Sequence, residues 1–109
     1  MSRLDICRTS EVLEGEFATR VVVNDVAYAV YRLGDRYYVS ADVCSHGPGS
    51  LGEGTIIGED VECPFHQGRF HIPTGKPTLP PCTEPVQVWT VHLEGDQIWI
   101  DPDEPLSHR

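Results

Sequence analysis

Two short stretches of the chain decide its fold and its chemistry: CSHGPGSLGEG at residues 44–54 and CPFHQGRF at residues 63–70. Each stretch opens with a cysteine and carries a histidine two or three positions later, which gives Cys44 with His46 and Cys63 with His66. Glycine and proline surround both pairs, and these residues favour tight, stiff loops. The sequence therefore predicts two loops that each offer one thiolate and one imidazole.

This set of ligands suits a cluster of two irons and two bridging sulfides. Thiolate and neutral imidazole both bind iron, and the sulfides leave each iron in need of two protein ligands. We assign Cys44 and Cys63 to an inner iron, and His46 and His66 to an outer iron nearer to solvent. A structural zinc site uses the same residue types, but it usually keeps its cysteines together and its histidines together. The mixed spacing favours the iron cluster over zinc.

The two stretches resemble the cluster loops of Rieske-type ferredoxins, most closely the small ferredoxins that serve bacterial aromatic-ring-hydroxylating dioxygenases. The segment KPTLPPC at residues 76–82 resembles the proline-rich loop that covers the cluster in this family. The resemblance covers nearly the whole chain and implies one [2Fe-2S] cluster. It also implies an all-β Rieske fold, an antiparallel β-sandwich-like framework with an inserted cluster-binding subdomain at about residues 42–81, in a single domain of residues 1–109.

The same resemblance implies an electron carrier that is not itself an enzyme. Such a carrier takes single electrons from a flavin-containing ferredoxin reductase and passes them to a terminal Rieske non-haem iron oxygenase, which hydroxylates the aromatic substrate. One alternative is a small Rieske subunit of a nitrite-reductase-like enzyme. A second alternative is a zinc-stabilised interaction module without redox function.

The loops depart from those of the high-potential Rieske proteins of respiratory complexes. Those proteins carry an extra cysteine in each cluster loop, and the matching positions here are Gly49 and Phe65. They also place a serine two residues after the second histidine, where this chain has Gly68. Fewer hydrogen bonds to the cluster imply a potential toward the low end of the Rieske range.

Length, composition and charge limit the number of domains, the class of partner and the cellular location that we expect. The 109 residues are enough for one domain with a modest core, and the formal charge of −9 argues against nucleic acid as a partner. That charge is compatible with steering toward a basic protein surface and equally with solubility alone. The first fifteen residues lack an apolar signal region, and no run approaches membrane-spanning length. We therefore expect a cytoplasmic protein with no membrane contact. In such a reducing compartment Cys7 and Cys82 are expected to be free thiols, and a disulfide between them is the alternative that the sequence leaves open.

Alternating apolar residues and turn signals predict a chain made almost wholly of strands. The predicted strands are Phe17–Val23 and Val26–Leu33 around the turn Asn24-Asp25, Arg36–Ser40, Thr55–Ile57 with Asp60–Glu62, and Val86–Leu93 with Gln97–Ile100. Residues 10–14 are predicted to form a short turn, and residues 101–109 an irregular tail.

Histidines and tryptophans outside the two loops are assigned to structure. We predict surface or strand-face positions for His71, His92 and His108, and packing roles for Trp89 and Trp99. The loop tips are uncharged in sequence, whereas the acidic residues cluster elsewhere in the chain. We therefore predict that the cluster end docks against partner proteins through the apolar residues Gly47, Pro48, Gly49, Pro80 and Pro81.

Overall fold

The computed structural model describes residues 3–13, 15–43, 49–64, 67–80 and 84–105. In chain order the strands are β1 (Leu4–Arg8), β2 (Thr19–Val23), β3 (Val26–Leu33), β4 (Arg36–Ala41), β5 (Thr55–Ile57), β6 (Asp60–Glu62), β7 (Arg69–His71), β8 (Pro77–Leu79), β9 (Val88–Trp89), β10 (His92–Glu94) and β11 (Gln97–Ile100). Two short 3₁₀ turns, at Thr9–Glu11 and Leu51–Glu53, complete the regular structure of these residues.

The strands form three sheets whose neighbouring strands are antiparallel. The central sheet has the order β2-β3-β4-β9, the second has the order β1-β11-β10, and the third is the meander β5-β6-β7-β8. These sheets confirm the predicted all-β, antiparallel framework. The meander lies inside the predicted cluster-binding subdomain, whose boundaries at about residues 42 and 81 stay a prediction.

The central sheet is covered on both faces, and β3 shows this most clearly. Tyr28, Ala29, Val30 and Tyr31 are all buried, although successive side chains of a strand point to opposite faces. Ala29 and Tyr31 pack in a core with residues of the meander. Tyr28 and Val30 pack in a second core with residues of β1 and β11. A strand buried on both sides therefore separates the two cores.

The first hairpin follows directly from its turn sequence. Asn24 and Asp25 have φ values of 52° and 66°, the left-handed values that a two-residue turn joining right-twisted strands requires. Short polar side chains tolerate this conformation better than most others. The predicted β2–β3 hairpin is confirmed, and β5 and β6 have the predicted boundaries.

One strand prediction is wrong and three strands were missed. The predicted strand Val86–Leu93 is divided into β9 and β10, which belong to different sheets. Thr90 and Val91 carry the chain from one sheet to the other, because β9 pairs with β4 whereas β10 pairs with β11. The sequence did not predict β1, β7 or β8, and the strand predicted from Phe17 begins at Thr19.

No helix in the described part of the chain is long and apolar enough to cross a bilayer.

Candidate metal centre

The two ends of the first predicted ligand loop are joined to each other. We call the joined residues Asp42, Val43, Ser50 and Leu51 the neck of the loop. The chain runs from the end of β4 through Asp42 to Val43, and Val43 forms an antiparallel bridge with Ser50. The backbone N–H of Leu51 donates to the carbonyl of Asp42 at 2.7 Å. The residues on either side of the predicted loop are thus fixed to each other. Cys44 and His46 belong to this loop and lie outside the described residues.

A buried carboxylate reinforces this neck. The side chain of Asp42 is only 5% exposed, and its Oδ1 accepts hydrogen bonds from the Ser50 hydroxyl at 2.7 Å and from the Gly52 backbone N–H at 2.8 Å. Its Oδ2 faces Nε of Arg20, which lies on β2, at 3.4 Å. Burial of a carboxylate is costly unless it is hydrogen-bonded and paired. Asp42 meets both conditions by joining β2 to both sides of the loop.

Glycine is required at position 52 because the backbone there touches its neighbours. A Cβ atom at Gly52 would lie 2.6 Å from Cα of Arg20 and 2.7 Å from Oδ1 of Asp42. Real Cβ atoms do not approach other atoms so closely. The absence of a side chain therefore allows the loop to return directly against β2.

The second predicted ligand loop is the connection between β6 and β7. The N–H of Cys63 donates to the carbonyl of Gly68 at 2.8 Å, and the N–H of Gln67 donates to the carbonyl of Cys63 at 3.0 Å. Gln67 has a left-handed φ of 59°. Glu62 and Arg69 flank the loop as a cross-strand ion pair, with Oε2 and Nη2 3.3 Å apart. Backbone hydrogen bonds therefore close this loop, whereas a carboxylate reinforces the first.

Cys63 lies where the inner ligand of a buried metal would be expected. Its exposed fraction is 0%, and it packs in the core that holds Leu51, Val61 and Phe70. Leu51 follows the first loop directly, so the two loops start from the same core. His66, the second predicted ligand of this loop, lies outside the described residues.

One open groove also borders the bases of both loops. Its volume is about 400 Å³, and Gly49 of the first loop and Pro64 of the second both line it, together with Arg20 and Asp42. The structure thus brings both loop bases together, as a ligand set divided between them requires. No group of three metal-binding side chains occurs within the described residues, to which only one of the four predicted ligands belongs.

The donor set fits a [2Fe-2S] cluster. The bases of the two loops border one groove, each loop carries one cysteine and one histidine in its sequence, and the thiol of Cys63, the one predicted ligand that the structure describes, is fully buried. Thiolate and imidazole are both ligands of iron, and the full burial of Cys63 is compatible with its predicted inner position.

Histidines away from the loops have structural surroundings, as predicted. Nδ1 of His71 lies 2.9 Å from the Thr74 hydroxyl, and its Nε2 lies 3.1 Å from a carboxylate oxygen of Glu59. The ring of His92 stacks on that of Trp99 with centroids 4.2 Å apart. These contacts account for both histidines without a metal. His108 and Cys82 lie outside the described residues.

Sequence reasoning missed Asp42 and Ser50 as parts of the site. The available signal was the position of Asp42, an acidic residue two positions before Cys44. Its hydrogen-bond partners are known only from the folded structure. Cys7, by contrast, is remote from both loops in the core of β1 and β11. Burial, with a smaller effect from nearby Glu11, raises the pKa of its thiol to about 11.

Comparison with known proteins identifies the family. The model of the Rieske [2Fe-2S] domain matches residues 2–90. Ferredoxin CarAc of Metapseudomonas resinovorans is 39% identical over 97 residues, which cover 89% of this chain and 91% of the relative. The ferredoxin component of the p-cumate 2,3-dioxygenase system of Pseudomonas putida is 40% identical over 97 residues, which cover 88% of this chain and 82% of the relative.

A solved structure supports the same relationship. The matching chain comes from a complex of reduced oxygenase and oxidised ferredoxin in carbazole 1,9a-dioxygenase. It is 37% identical to this chain, with a TM-score of 0.83, and the match covers 96% of this chain and 97% of that one. With its antiparallel sheets and its match to the family model over residues 2–90, the chain belongs to the Rieske [2Fe-2S] domain family, whose cofactor is one [2Fe-2S] cluster.

Proposed function

We propose that this protein is the ferredoxin component of an aromatic-ring-hydroxylating dioxygenase system, a one-electron carrier rather than an enzyme. The observation that carries the proposal is that the bases of both predicted ligand loops, at Gly49 and Pro64, line one groove, with the buried Cys63 at the base of the second loop. The relatives of 39% and 40% identity bear the names of ferredoxins. They favour this function over that of a nitrite-reductase small subunit.

The ligands in this proposal are Cys44 and Cys63 for the inner iron, and His46 and His66 for the outer iron. When bound, the cluster supplies a couple that accepts and releases one electron. The protein's own part is to keep water from the cysteine side and to leave the histidine side open to a partner. The full burial of Cys63 supports the first of these roles.

The partners in this proposal are a flavin-containing ferredoxin reductase as donor and a terminal oxygenase as acceptor. One electron leaves the reductase flavin and enters this chain, and the same electron then leaves for the oxygenase. A cytoplasmic location is part of the proposal. The net charge of −9 suits encounter with partners that carry basic surfaces.

Apolar residues near the loop bases support the expected docking end. Val43 is 65% exposed beside the first loop, and Leu79 is 41% exposed at the end of β8. Pro64 and Pro80 are also exposed. Gly47, Pro48 and Pro81 of the predicted docking surface lie outside the described residues, so their part in it stays a prediction.

Metal analysis of matched cysteine variants tests the proposal. The purified protein should contain two irons and two sulfides per chain and show, after reduction with dithionite, an EPR signal typical of mixed sulfur and nitrogen ligation. Cys63→Ser should lose the cluster. Cys7→Ser provides the control, because it changes a cysteine that is also buried but belongs to the other core. Stoichiometric zinc after expression with ample iron, or an intact cluster in Cys63→Ser, would overturn the assignment.

A further inference from the structure

The strongest unassigned feature near the loops is the ion pair of Asp42 and Arg20. Asp42 is 4% exposed and Arg20 lies on β2, so the pair connects the central sheet to the first loop. Both residues line the same open groove as Gly49 and Pro64, which belong to the bases of the two loops.

The carboxylate of Asp42 brings a fixed negative charge close to a predicted ligand. Asp42 precedes Cys44 by two residues, and two residues of chain span at most about 7 Å. A negative charge at that range opposes the arrival of an electron, whereas a positive charge favours it. Because Asp42 is buried, water screens its charge only weakly.

Arg20 provides the opposing charge from the solvent side. Its Nε lies 3.4 Å from Oδ2 of Asp42, and its side chain is 47% exposed. The contact leaves Oδ1 free for the hydrogen bonds from Ser50 and Gly52. The two oxygens of one carboxylate are thus divided between the arginine and the loop.

We propose that Asp42 and Arg20 are positioning residues for electron transfer, which close the first cluster loop and set the reduction potential of the cluster through their opposite charges. This inference rests on the proposed function, because it takes Cys44 as a ligand. It predicts shifts of opposite sign for the two residues. Loss of the Arg20 charge should make the cluster harder to reduce, and loss of the Asp42 charge should make it easier to reduce.

The test measures reduction potentials of single and double variants by redox titration. In Arg20→Gln the ratio of reduced to oxidised protein at a fixed potential should fall on the order of threefold. That change equals roughly 28 mV, at 59 mV for each tenfold change of a one-electron couple. Asp42→Asn keeps an oxygen that can accept the loop hydrogen bonds, and its ratio should rise by a similar factor. The double variant should return close to the wild-type ratio, and Arg20→Lys, which keeps the charge, should stay near it.

Arg36→Gln is the matched control, because it removes the same charge at the start of β4. Arg36 precedes Asp42 by six positions, which in extended chain is a distance of about 20 Å. The ratio of reduced to oxidised protein should therefore stay unchanged in Arg36→Gln. Shifts of the same sign for Arg20→Gln and Asp42→Asn, with the cluster intact, would overturn the inference and leave the proposed function standing. Absence of a cluster from the wild-type protein would instead overturn the proposed function.

A second readout follows the loop neck itself. The Gly52 N–H bonded to Asp42 should exchange slowly with deuterium in the wild-type protein and in Asp42→Asn, and at least tenfold faster in Asp42→Ala. Equal exchange rates in all three proteins would show that the carboxylate does not hold the loop.

Discussion

The hydroxyl groups of Tyr31 and Ser40 lie 2.8 Å apart inside the protein, on neighbouring strands β3 and β4. Ser40 also donates to the carbonyl of Ala41 at 3.0 Å, which leaves the Tyr31 hydroxyl to donate to Ser40. The two residues are 1% and 2% exposed, so water does not compete for this bond. The bond joins the central strands just before the neck of the first loop.

Removal of this hydroxyl should weaken the fold without a change of shape. We expect Tyr31→Phe to lower the free energy of unfolding by about 1 kcal/mol, the usual net contribution of such a bond. Tyr37→Phe is the control, because Tyr37 is only partly buried, and it should change stability by less than about 0.5 kcal/mol. Urea denaturation of both variants checks the prediction, and equal losses would contradict it.

A methyl group at position 52 should disturb the first loop. Gly52→Ala places a Cβ atom 2.6 Å from Cα of Arg20, and we expect a loss of about 1–3 kcal/mol together with a lower iron content. Gly95→Asn is the control. Gly95 has a φ of 60° in the β10–β11 turn with open space around it, and asparagine tolerates this conformation. Wild-type iron content in Gly52→Ala would be contrary to the structure.

The thiol of Cys7 should be inert near neutral pH. Because burial raises its pKa to about 11 from an ordinary 9.0, the folded protein favours the neutral thiol. The stability that the protein gains from burying the neutral Cys7 thiol is therefore fully present below about pH 9.0, and it is lost as the pH rises through about 11.

Alkylation with iodoacetamide at about pH 8, followed by mass spectrometry of the Cys7 peptide, checks this expectation. The native protein should label at least about tenfold more slowly than the same protein in denaturant. Equal labelling rates would show that the β1–β11 region opens readily. Cys7→Ala should also lose less stability than the wild-type protein on going from neutral to alkaline pH.

The exposed ion pair of Arg3 and Glu94 should give a small dependence on acid pH. Nη1 of Arg3 lies 2.9 Å from Oε2 of Glu94, and this hydrogen bond lowers the pKa of the Glu94 carboxyl, as does the charge of Arg3. The stabilisation is therefore present above the ordinary glutamate pKa of about 4.3. It is lost as the pH falls through the lower pKa of the folded state.

An NMR titration of the Glu94 carboxyl in wild-type protein and in Arg3→Gln measures this effect. The pKa of Glu94 should rise toward its ordinary value in the variant, and the difference should shrink in high salt because both side chains are exposed. An unchanged pKa would show that the pair does not persist in solution.

A charge at the loop neck should slow electron transfer without loss of the cluster. Val43 is 65% exposed and lies two residues after the end of β4. We expect Val43→Glu to reduce the rates of electron transfer by about tenfold or more, because docking would bury an unpaired charge. Stopped-flow kinetics measure these rates. Leu93→Glu is the control. Leu93 is 51% exposed but lines a groove with Asp35 and Arg36, at the opposite end of β4. Equal rates for both variants and the wild type would place the docking surface elsewhere.

Local patterns in the sequence were sufficient for two hairpins but not for the hairpins of β7 and β8 or for the arrangement of the sheets. The Asn24-Asp25 turn and the β5–β6 pair depend on neighbouring residues, and both were predicted correctly. β1 pairs with β11, from the other end of the chain, and no local signal reports such a partner. The prediction of one strand over Val86–Leu93 failed because its two halves pair with different strands, β9 with β4 and β10 with β11.

For the predicted ligand loops too, the sequence showed what depends on neighbouring residues and did not show what depends on distant contacts. Spacing alone placed Cys63 in a metal-binding loop, and its full burial agrees with the inner position. Spacing did not reveal that Asp42 closes the other loop, because its contacts with Arg20 and Gly52 depend on how β2 packs against the returning chain. The positions of Cys44, His46 and His66 stay predictions.

The pairing of β1 with β11 also has a consequence for the order of folding. The meander β5–β8 joins strands that follow one another within residues 55–79, so each hairpin closes a short loop at little entropic cost. Leu4 meets Ile100 only when almost the whole chain is gathered, and contacts between such distant residues form slowly. The sheet that carries the second ligand loop can thus form early, while closure of the terminal sheet completes the fold.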